Sequence, residues 1–102
     1  MNKYKLKLTT EFFEMFYTTL APFKNFSFSY INLIHAKVYH SLDLAIYFPY
    51  AFSSFNSPKE TLSIRKIVID KRFIILYEVV NDVIEVLYFV DGRRSYENML
   101  MY

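Results

Sequence analysis

The hydrophobic pattern of this chain changes its period near residue 50, and that change limits the folds open to it. Before this point most apolar residues recur at helical spacing, whereas from Ile64 onward they form runs rich in β-branched and aromatic residues. The segment between, Tyr50 to Thr61, contains several serines, an asparagine and Pro58, which is typical of a loop. Helices followed by strands in one short chain predict an α+β domain.

The first half of the chain predicts one strand and two helices. Residues 3–8 alternate lysines with apolar residues, which indicates a strand with one dry face. Thr9 or Thr10 can cap a first helix that Ala21-Pro22 ends. We expect its buried face to consist of Phe13, Phe16, Tyr17 and Leu20.

A second helix is predicted from Ser27 or Ser29 to Tyr47. Pro49 ends it, because the residue before a proline is pushed out of the helical region. Its expected apolar stripe is Ile31, Ile34, Val38, Leu42, Ala45 and Ile46.

The second half predicts a meander of three strands. These are Ile64 to Ile69, Phe73 to Val80 and Ile84 to Val90, with Asp70-Lys71-Arg72 and Asn81-Asp82 as turns. The simplest closed arrangement is an antiparallel sheet, made of the N-terminal strand and the meander, with both helices packed on one face. The other face of the sheet would be partly open.

The composition favours one soluble domain over residues 1–102. With 54% apolar residues and 21% aromatics, the chain can build a substantial core. The absence of cysteine excludes disulfides and thiolate metal sites, which suits a cytoplasmic protein. The longest uncharged run, between Asp43 and Lys59, is too short and too broken to cross a membrane, and the N-terminus lacks the apolar stretch of a signal peptide.

Most common catalytic and binding patterns are missing from the sequence. Gly92 is alone, so there is no glycine-rich phosphate loop, and no serine is linked by a sequence cue to a histidine. His35 and His40 are five residues apart, so on a helix their directions diverge by roughly 140°. We therefore expect no metal site and no metal or organic cofactor.

Glu78 and Glu85 offer one possible acid–base pair. A two-residue turn at Asn81-Asp82 places them opposite each other on one face, where they could share a proton. A loop one residue longer places them on opposite faces. We favour the second arrangement or two solvated glutamates, because the hairpin register is difficult to fix from sequence.

Basic residues give the best functional signal. Arg65 and Lys66 lie in one strand, Lys71 and Arg72 in the following turn, and Arg93 and Arg94 after the last strand. In a meander, Arg65 can approach the Arg93-Arg94 pair. Arginine suits phosphate because its planar donors bind two oxygens at once. The net charge is only +2, so ordinary surface ion pairs remain the alternative.

Four segments in order resemble the RelE/ParE toxin family. They are the helix end Ser41–Pro49, the arginine-led strand Ile64–Asp70, the aromatic strand Phe73–Val79, and the last strand with its tail, Val86–Tyr96. The resemblance covers about residues 40–100; the first 40 match in element order only. It implies a toxin of a type II toxin–antitoxin system, held silent by a cognate antitoxin.

The family contains two functional groups, and the resemblance leaves both open. RelE-like toxins cut mRNA on the ribosome without a metal, whereas ParE-like toxins inhibit DNA gyrase. The RelE-like Gly-Lys-Arg falls on Gly92-Arg93-Arg94, which places the family's C-terminal catalytic arginine on Arg94. The arginine that RelE-like toxins carry three residues before the strand tyrosine falls on Ile74, so that role is vacant.

Chemistry and resemblance together give a set of predicted site residues. We predict catalytic roles for Arg65, Arg94 and Tyr96. We predict RNA phosphate binding by Lys66, Lys71, Arg72 and Arg93. Metal-independent mRNA cleavage is the leading function, gyrase inhibition is the rival, and a non-toxic protein-binding relative is the third possibility.

The antitoxin prediction carries a structural expectation of its own. The chain has 21 aromatic residues to place, and some should lie exposed beside the basic groups. An acidic, partly disordered antitoxin could fold across such a patch, with carboxylates on Arg65, Arg72 or Arg94.

Overall fold

The computed structural model describes residues 3–54 and 63–93, and within them the chain forms two helices on one five-stranded sheet. The helices are α1 (Thr10–Leu20) and α2 (Phe28–Tyr47), joined by a 3-10 helix at Ala21–Asn25. The strands are β1 (Lys5–Leu8), β2 (Ser53–Ser54), β3 (Ile64–Ile69), β4 (Phe73–Val80) and β5 (Val83–Asp91). The α+β class and the meander of the last three strands are confirmed.

The sheet is mixed, not antiparallel throughout. Its strand order is β1-β5-β4-β3-β2, and β1 runs parallel to β5, with Lys5 opposite Val83 and Leu8 opposite Val86. A parallel neighbour requires a long crossover, and the two helices supply it together with the meander. The short β2 pairs with the start of β3 and was not foreseen, because two serines carry no strand signal.

Both helices begin where the sequence predicts. The Thr9 side chain accepts a hydrogen bond from the backbone N–H of Phe12 at 3.1 Å and donates one to the carbonyl of Val86 at 2.8 Å. The same hydroxyl therefore caps α1 and ties it to β5. Ser27 caps α2 by accepting from the N–H of Tyr30 at 3.0 Å.

The main core lies between the helices and one face of the sheet. Phe16 meets Phe89 edge-on at 4.9 Å between ring centroids, and Phe89 stacks on Phe73 at 5.2 Å. From α2 the core takes Ile34, Val38, Leu42, Ala45 and Ile46, as predicted, while Ile31 is only half-buried. Two aromatic pairs of this kind add roughly 0.5–1.5 kcal/mol each beyond the area they bury.

The predicted inner face of α1 was wrong by part of a turn. The buried residues are Phe12, Phe16 and Leu20, whereas Phe13 and Tyr17 are exposed. Phenylalanines at 12 and 13 give the helix an apolar arc wide enough for either choice. The buried residues are spaced four apart, and Phe12 and Phe16 both meet Phe89 of β5 edge-on.

A second apolar cluster lies on the opposite face of the sheet. Ile74 and Leu76 alternate along β4 with the core-facing residues, and they pack with Ile64 and Val90. All four are buried. The open face expected from the sequence is thus apolar at its centre.

Truncating Phe73 should test the central position of β4. Phe73 is fully buried and contacts both Phe89 and Phe23, so we expect Phe73→Ala to lower the free energy of unfolding by about 3–5 kcal/mol. Chemical denaturation measures the change. Tyr39→Ala, which removes an exposed ring from α2, is the matched control and should cost under 1 kcal/mol. A Phe73→Ala variant as stable as the control would contradict the described core.

Candidate nucleic-acid interface

Cationic side chains gather at one end of the sheet, where the β3–β4 turn, the end of β5 and the start of α2 meet. This basic end contains four cations and two carboxylates: Lys37, Lys71, Arg72 and Arg93, against Asp70 and Asp91. The turn itself is tight, since Asp70 and Lys71 both have left-handed backbone angles, φ 56° and 57°. Asp tolerates this region, but a lysine there is unusual and leaves its side chain exposed at the turn.

One carboxylate, Asp91, holds two of the arginines. Arg93 donates to it from Nε at 3.2 Å and from Nη2 at 2.9 Å, and the Arg93 backbone N–H donates at 3.0 Å. Arg72 Nη2 lies 3.6 Å from the same carboxylate. The hydrogen bonds from Arg93 outweigh the desolvation of Asp91 and lower the pKa of its carboxyl to about 2. Both guanidinium groups consequently lie side by side at one carboxylate, with 30% of the Arg72 side chain and 68% of the Arg93 side chain exposed.

Arg72 is also held by aromatic rings. Its guanidinium carbon lies 4.8 Å from the ring centroid of Phe23 and 5.3 Å from that of Phe73. Such cation–π contacts orient the planar group and limit its rotamers. Part of the Arg72 side chain remains exposed.

A hydrogen-bonded group on α2 completes the basic end, and sequence reasoning did not identify it. Tyr30 donates its hydroxyl to Asp70 at 2.9 Å, and Lys37 Nζ lies 2.8 Å from the other oxygen of Asp70. The bond from Lys37, followed by that from Tyr30, lowers the pKa of Asp70. Burial and the bond to Asp70 raise the pKa of Tyr30, so its phenol keeps its proton. Lys37 and Tyr30 are 33 and 40 positions from Asp70 in the sequence, so no local sequence pattern joins them to it.

Gly92 brings the last strand close to the β3–β4 turn. Its N–H donates to the carbonyl of Arg72 at 2.6 Å. A Cβ on Gly92 would lie 2.9 Å from that carbonyl oxygen and 3.1 Å from the side chain of Ile74. Glycine is required here because of this close approach, and the approach places Arg93 beside Arg72.

Arg65 lies away from the basic end. Arg65 pairs with Tyr77, whereas Asp91 pairs with Phe73. Tyr77 and Phe73 are four positions apart along β4, which is roughly 13 Å at the rise per residue of a strand. The predicted approach of Arg65 to Arg93 is therefore not found. Arg65 instead donates to the carbonyl of Phe52 at 2.6 Å, and its guanidinium carbon lies 4.9 Å from the ring centroid of Tyr50.

These contacts give Arg65 a part in fixing the segment after α2. Tyr77 shares that task, since its buried hydroxyl donates to the carbonyl of Pro49. Burial raises the pKa of Tyr77 to about 12 and keeps this donor protonated. Lys66, the neighbour of Arg65, points to the opposite face of the sheet. The predicted catalytic role of Arg65 and phosphate role of Lys66 stay predictions.

Two of the three predicted catalytic residues, Arg94 and Tyr96, lie outside the described residues. Of the predicted phosphate-binding residues, the structure brings Lys71, Arg72 and Arg93 together at the basic end. Ile74, on which the sequence resemblance placed a RelE-like arginine, is 8% exposed and belongs to the second apolar cluster.

The two glutamates form a pair that we had not favoured from sequence. Asn81 adopts φ 56°, the turn at Asn81-Asp82 has two residues, and Glu78 lies directly opposite Glu85. Lys7 Nζ, on the adjacent strand, lies 3.5 Å from Glu85. Burial, and then the charge of Glu85, raise the pKa of Glu78.

The histidines do not form a site. His35 packs edge-on against Phe16 at 4.7 Å between ring centroids and also lies near Tyr39. Within residues 3–54 and 63–93, no group of three or more histidines and carboxylates is placed to hold a metal ion. The same part of the chain has no helix long and apolar enough to span a membrane.

Comparison with known proteins identifies the fold. No protein-family model matches the sequence, and no curated protein does either. Among solved structures, the chain is similar to a copper-bound mutant toxin from Helicobacter pylori, with a TM-score of 0.60 and 16% sequence identity. The match covers 91% of this chain and 99% of that one. At this identity the likeness establishes a shared fold.

Replacing Asp91 should lower stability in a pH-dependent way. Folding lowers the pKa of Asp91 to about 2, so the ionised carboxylate stabilises the folded protein. This stabilisation is fully present above the ordinary carboxyl pKa and is lost as the pH falls towards 2. We expect Asp91→Asn to cost about 1–2 kcal/mol at pH 7. The difference from wild type should shrink below about pH 4. Thermal unfolding across pH 2.5–7 measures it; a constant difference would mean that the carboxylate charge is not the cause.

Replacing Glu78 should raise the stability at pH 7, whereas replacing Asp91 should lower it. Folding raises the pKa of Glu78, so the protonated carboxyl favours the folded state. This stabilisation is fully present below the pKa that Glu78 has in the unfolded chain, and it is lost as the pH rises through the pKa in the folded protein. At pH 7 we expect Glu78→Gln to stabilise the protein by roughly 0.2–1 kcal/mol, the range for a cross-strand pair. The gain should vanish near pH 4. Glu14→Gln, on the exposed side of α1, is the control and should change little at either pH.

Proposed function

We propose that this chain is the toxin component of a type II toxin–antitoxin pair and that it cleaves mRNA at the ribosome without a metal ion. The observation that carries the proposal is the basic end, where Arg72 and Arg93 are held side by side by Asp91. The fold shared with a protein described as a toxin supports the same reading. So does the resemblance of residues 40–100 to the RelE/ParE family.

RNA can be cut without a metal because it carries its own nucleophile. The 2′-hydroxyl loses a proton and attacks the adjacent phosphorus, and the bond from phosphorus to the 5′-oxygen breaks as that oxygen gains a proton. Negative charge builds on the phosphoryl oxygens during this step. Preorganised guanidinium groups stabilise such charge without reorganising. Arg72 and Arg93 fit this role, Lys71 adds an exposed cation, and Arg94 and Tyr96 are the proposed catalytic groups.

The antitoxin is proposed to cover the outer side of α2, where three large apolar residues share one side of the helix with Lys37 and His40. Leu33, Leu44 and Tyr47 are exposed there, although each is a large apolar side chain. Their spacing of 11 and 3 residues places them on one side of the helix, away from the buried stripe. An antitoxin helix with apolar residues at matching spacing would bury them, and its carboxylates could reach the basic end.

Inhibition of DNA gyrase is the second candidate, and the position of Ile74 favours it. RelE-like toxins carry an arginine at that position, whereas here a buried isoleucine occupies it among other apolar residues. A toxin that acts by binding a protein does not need the arginine.

Controlled expression separates the two candidates. Expressed without its antitoxin, the chain should stop incorporation of labelled amino acids before DNA synthesis falls, and primer extension should show cut messages. Arg94→Ala should reduce cleavage by at least a hundred-fold, since a lost transition-state donor costs about that much. Lys71→Asn, which keeps a residue that tolerates the left-handed turn, should reduce it several-fold.

Lys5→Gln is the matched control for these variants. Lys5 is an exposed lysine in a weak 3.8 Å pair with Asp82 at the other end of the sheet, and its loss should leave toxicity unchanged. An early DNA-damage response with intact messages would move the assignment to gyrase. The absence of any growth arrest would favour the non-toxic relative.

A further inference from the structure

Two phenyl rings beside the basic end are unusually exposed. Phe26 is 82% exposed and Phe28 is 72% exposed, the highest values among the large apolar side chains of the described residues. Single exposed apolar residues are common, but two within three positions next to a cluster of cations form a mixed patch of the kind that marks a binding surface.

The backbone that carries these rings is fixed. The N–H groups of Phe26 and Ser27 both donate to the carbonyl of Phe23 at 3.0 Å. Ser27 in turn caps α2 through its hydrogen bond from Tyr30. The rings therefore project from an ordered turn, and a ligand stacking on them would not have to order a loop.

The same segment is attached to the basic end on both sides of the two rings. Phe23, three residues before Phe26, stacks on the guanidinium of Arg72. Tyr30, two residues after Phe28, donates to Asp70 in the β3–β4 turn. The exposed rings thus lie on a stretch whose flanking residues both contact the turn that presents Lys71 and Arg72.

We propose that Phe26, Phe28 and the cations Lys71, Arg72 and Arg93 form one surface that binds single-stranded RNA. The rings stack on unpaired bases, and the cations contact phosphates along the strand. Aromatic stacking accepts any base, so the surface is tolerant of sequence. This inference rests on the proposed function and deepens it, since it assigns a base-stacking role to two residues outside the predicted catalytic set.

Binding to an RNA that cannot be cut tests the surface apart from catalysis. The probe is a fluorescent 2′-O-methyl oligonucleotide of mixed sequence, and the affinity of the full-length protein is measured by anisotropy. Phe26→Ser and Phe28→Ser should each weaken binding about ten-fold, which corresponds to about 1.4 kcal/mol. Their dependence on salt should stay as in the wild type, whereas Lys71→Asn should lower the salt slope by about one.

Tyr17→Ser is the matched control. Tyr17 is 61% exposed on α1, so the variant removes a comparable ring from another part of the surface, and its affinity should equal that of the wild type. Thermal unfolding of all variants should change little, because the replaced rings are mostly exposed. A double Phe26→Ser/Phe28→Ser variant with wild-type affinity would overturn the proposal. So would a duplex that competes as well as the single strand.

Failure of this inference can be told from failure of the proposed function. If the protein binds the oligonucleotide through Phe26 and Phe28 but leaves cellular messages intact, the nuclease assignment fails and the RNA surface stands. If messages are cut and the double variant both binds and cuts like the wild type, the RNA surface fails alone.

Discussion

The fold depends on the burial of β4 on both faces. Five consecutive residues of this strand, Phe73–Tyr77, are buried, so β4 must be central and must be covered on each side. The odd members of the run, Phe73, Ile75 and Tyr77, meet the helices, and the even members, Ile74 and Leu76, meet the second apolar cluster. Because β3 and β5 pair with β4 in fixed register, this burial also fixes where their polar residues lie.

The basic end follows from that register. Asp91 is opposite Phe73, so the carboxylate arrives at the end of β4 where Arg72 leaves the turn. Gly92 then allows the two backbones to approach, and Arg93 closes on Asp91 from the other side. A shift of one residue in β5 would turn Asp91 to the opposite face and separate the two arginines. The strand register that packs the centre of the sheet therefore also determines which charged residues meet at its end.

The helices and strands were predicted well from the sequence, whereas the contacts between residues of different elements were predicted poorly. Ser27, Pro49 and the Asn81-Asp82 turn marked boundaries because capping, the restriction before proline and left-handed turns are local effects. The choice between Phe12 and Phe13 was not local, because it depends on where β5 runs beneath α1. The same limit hid the bonds from Tyr30 and Lys37 to Asp70.

The candidate site shows this limit most clearly. Arginine and lysine at residues 71–72 and 93 were expected to carry the functional signal; the structure brings these side chains to one end of the sheet, and their role stays a prediction. Arg65 was grouped with them because strand neighbours were expected to bring it near. Its position beside Tyr77 instead sets it among the carbonyls that follow α2. Residue types indicated which side chains could bind phosphate, whereas which of them lie close together depends on the register of the strands.

The parallel pairing of β1 with β5 has a consequence for the order of events during synthesis. The first strand leaves the ribosome almost eighty residues before its partner, so most of the chain must be made before the sheet can close. Until then α1 lacks the surface that buries Phe12 and Phe16, and Asp91 is not yet available to hold Arg72. A nascent chain therefore has no assembled basic end until β5 has been made.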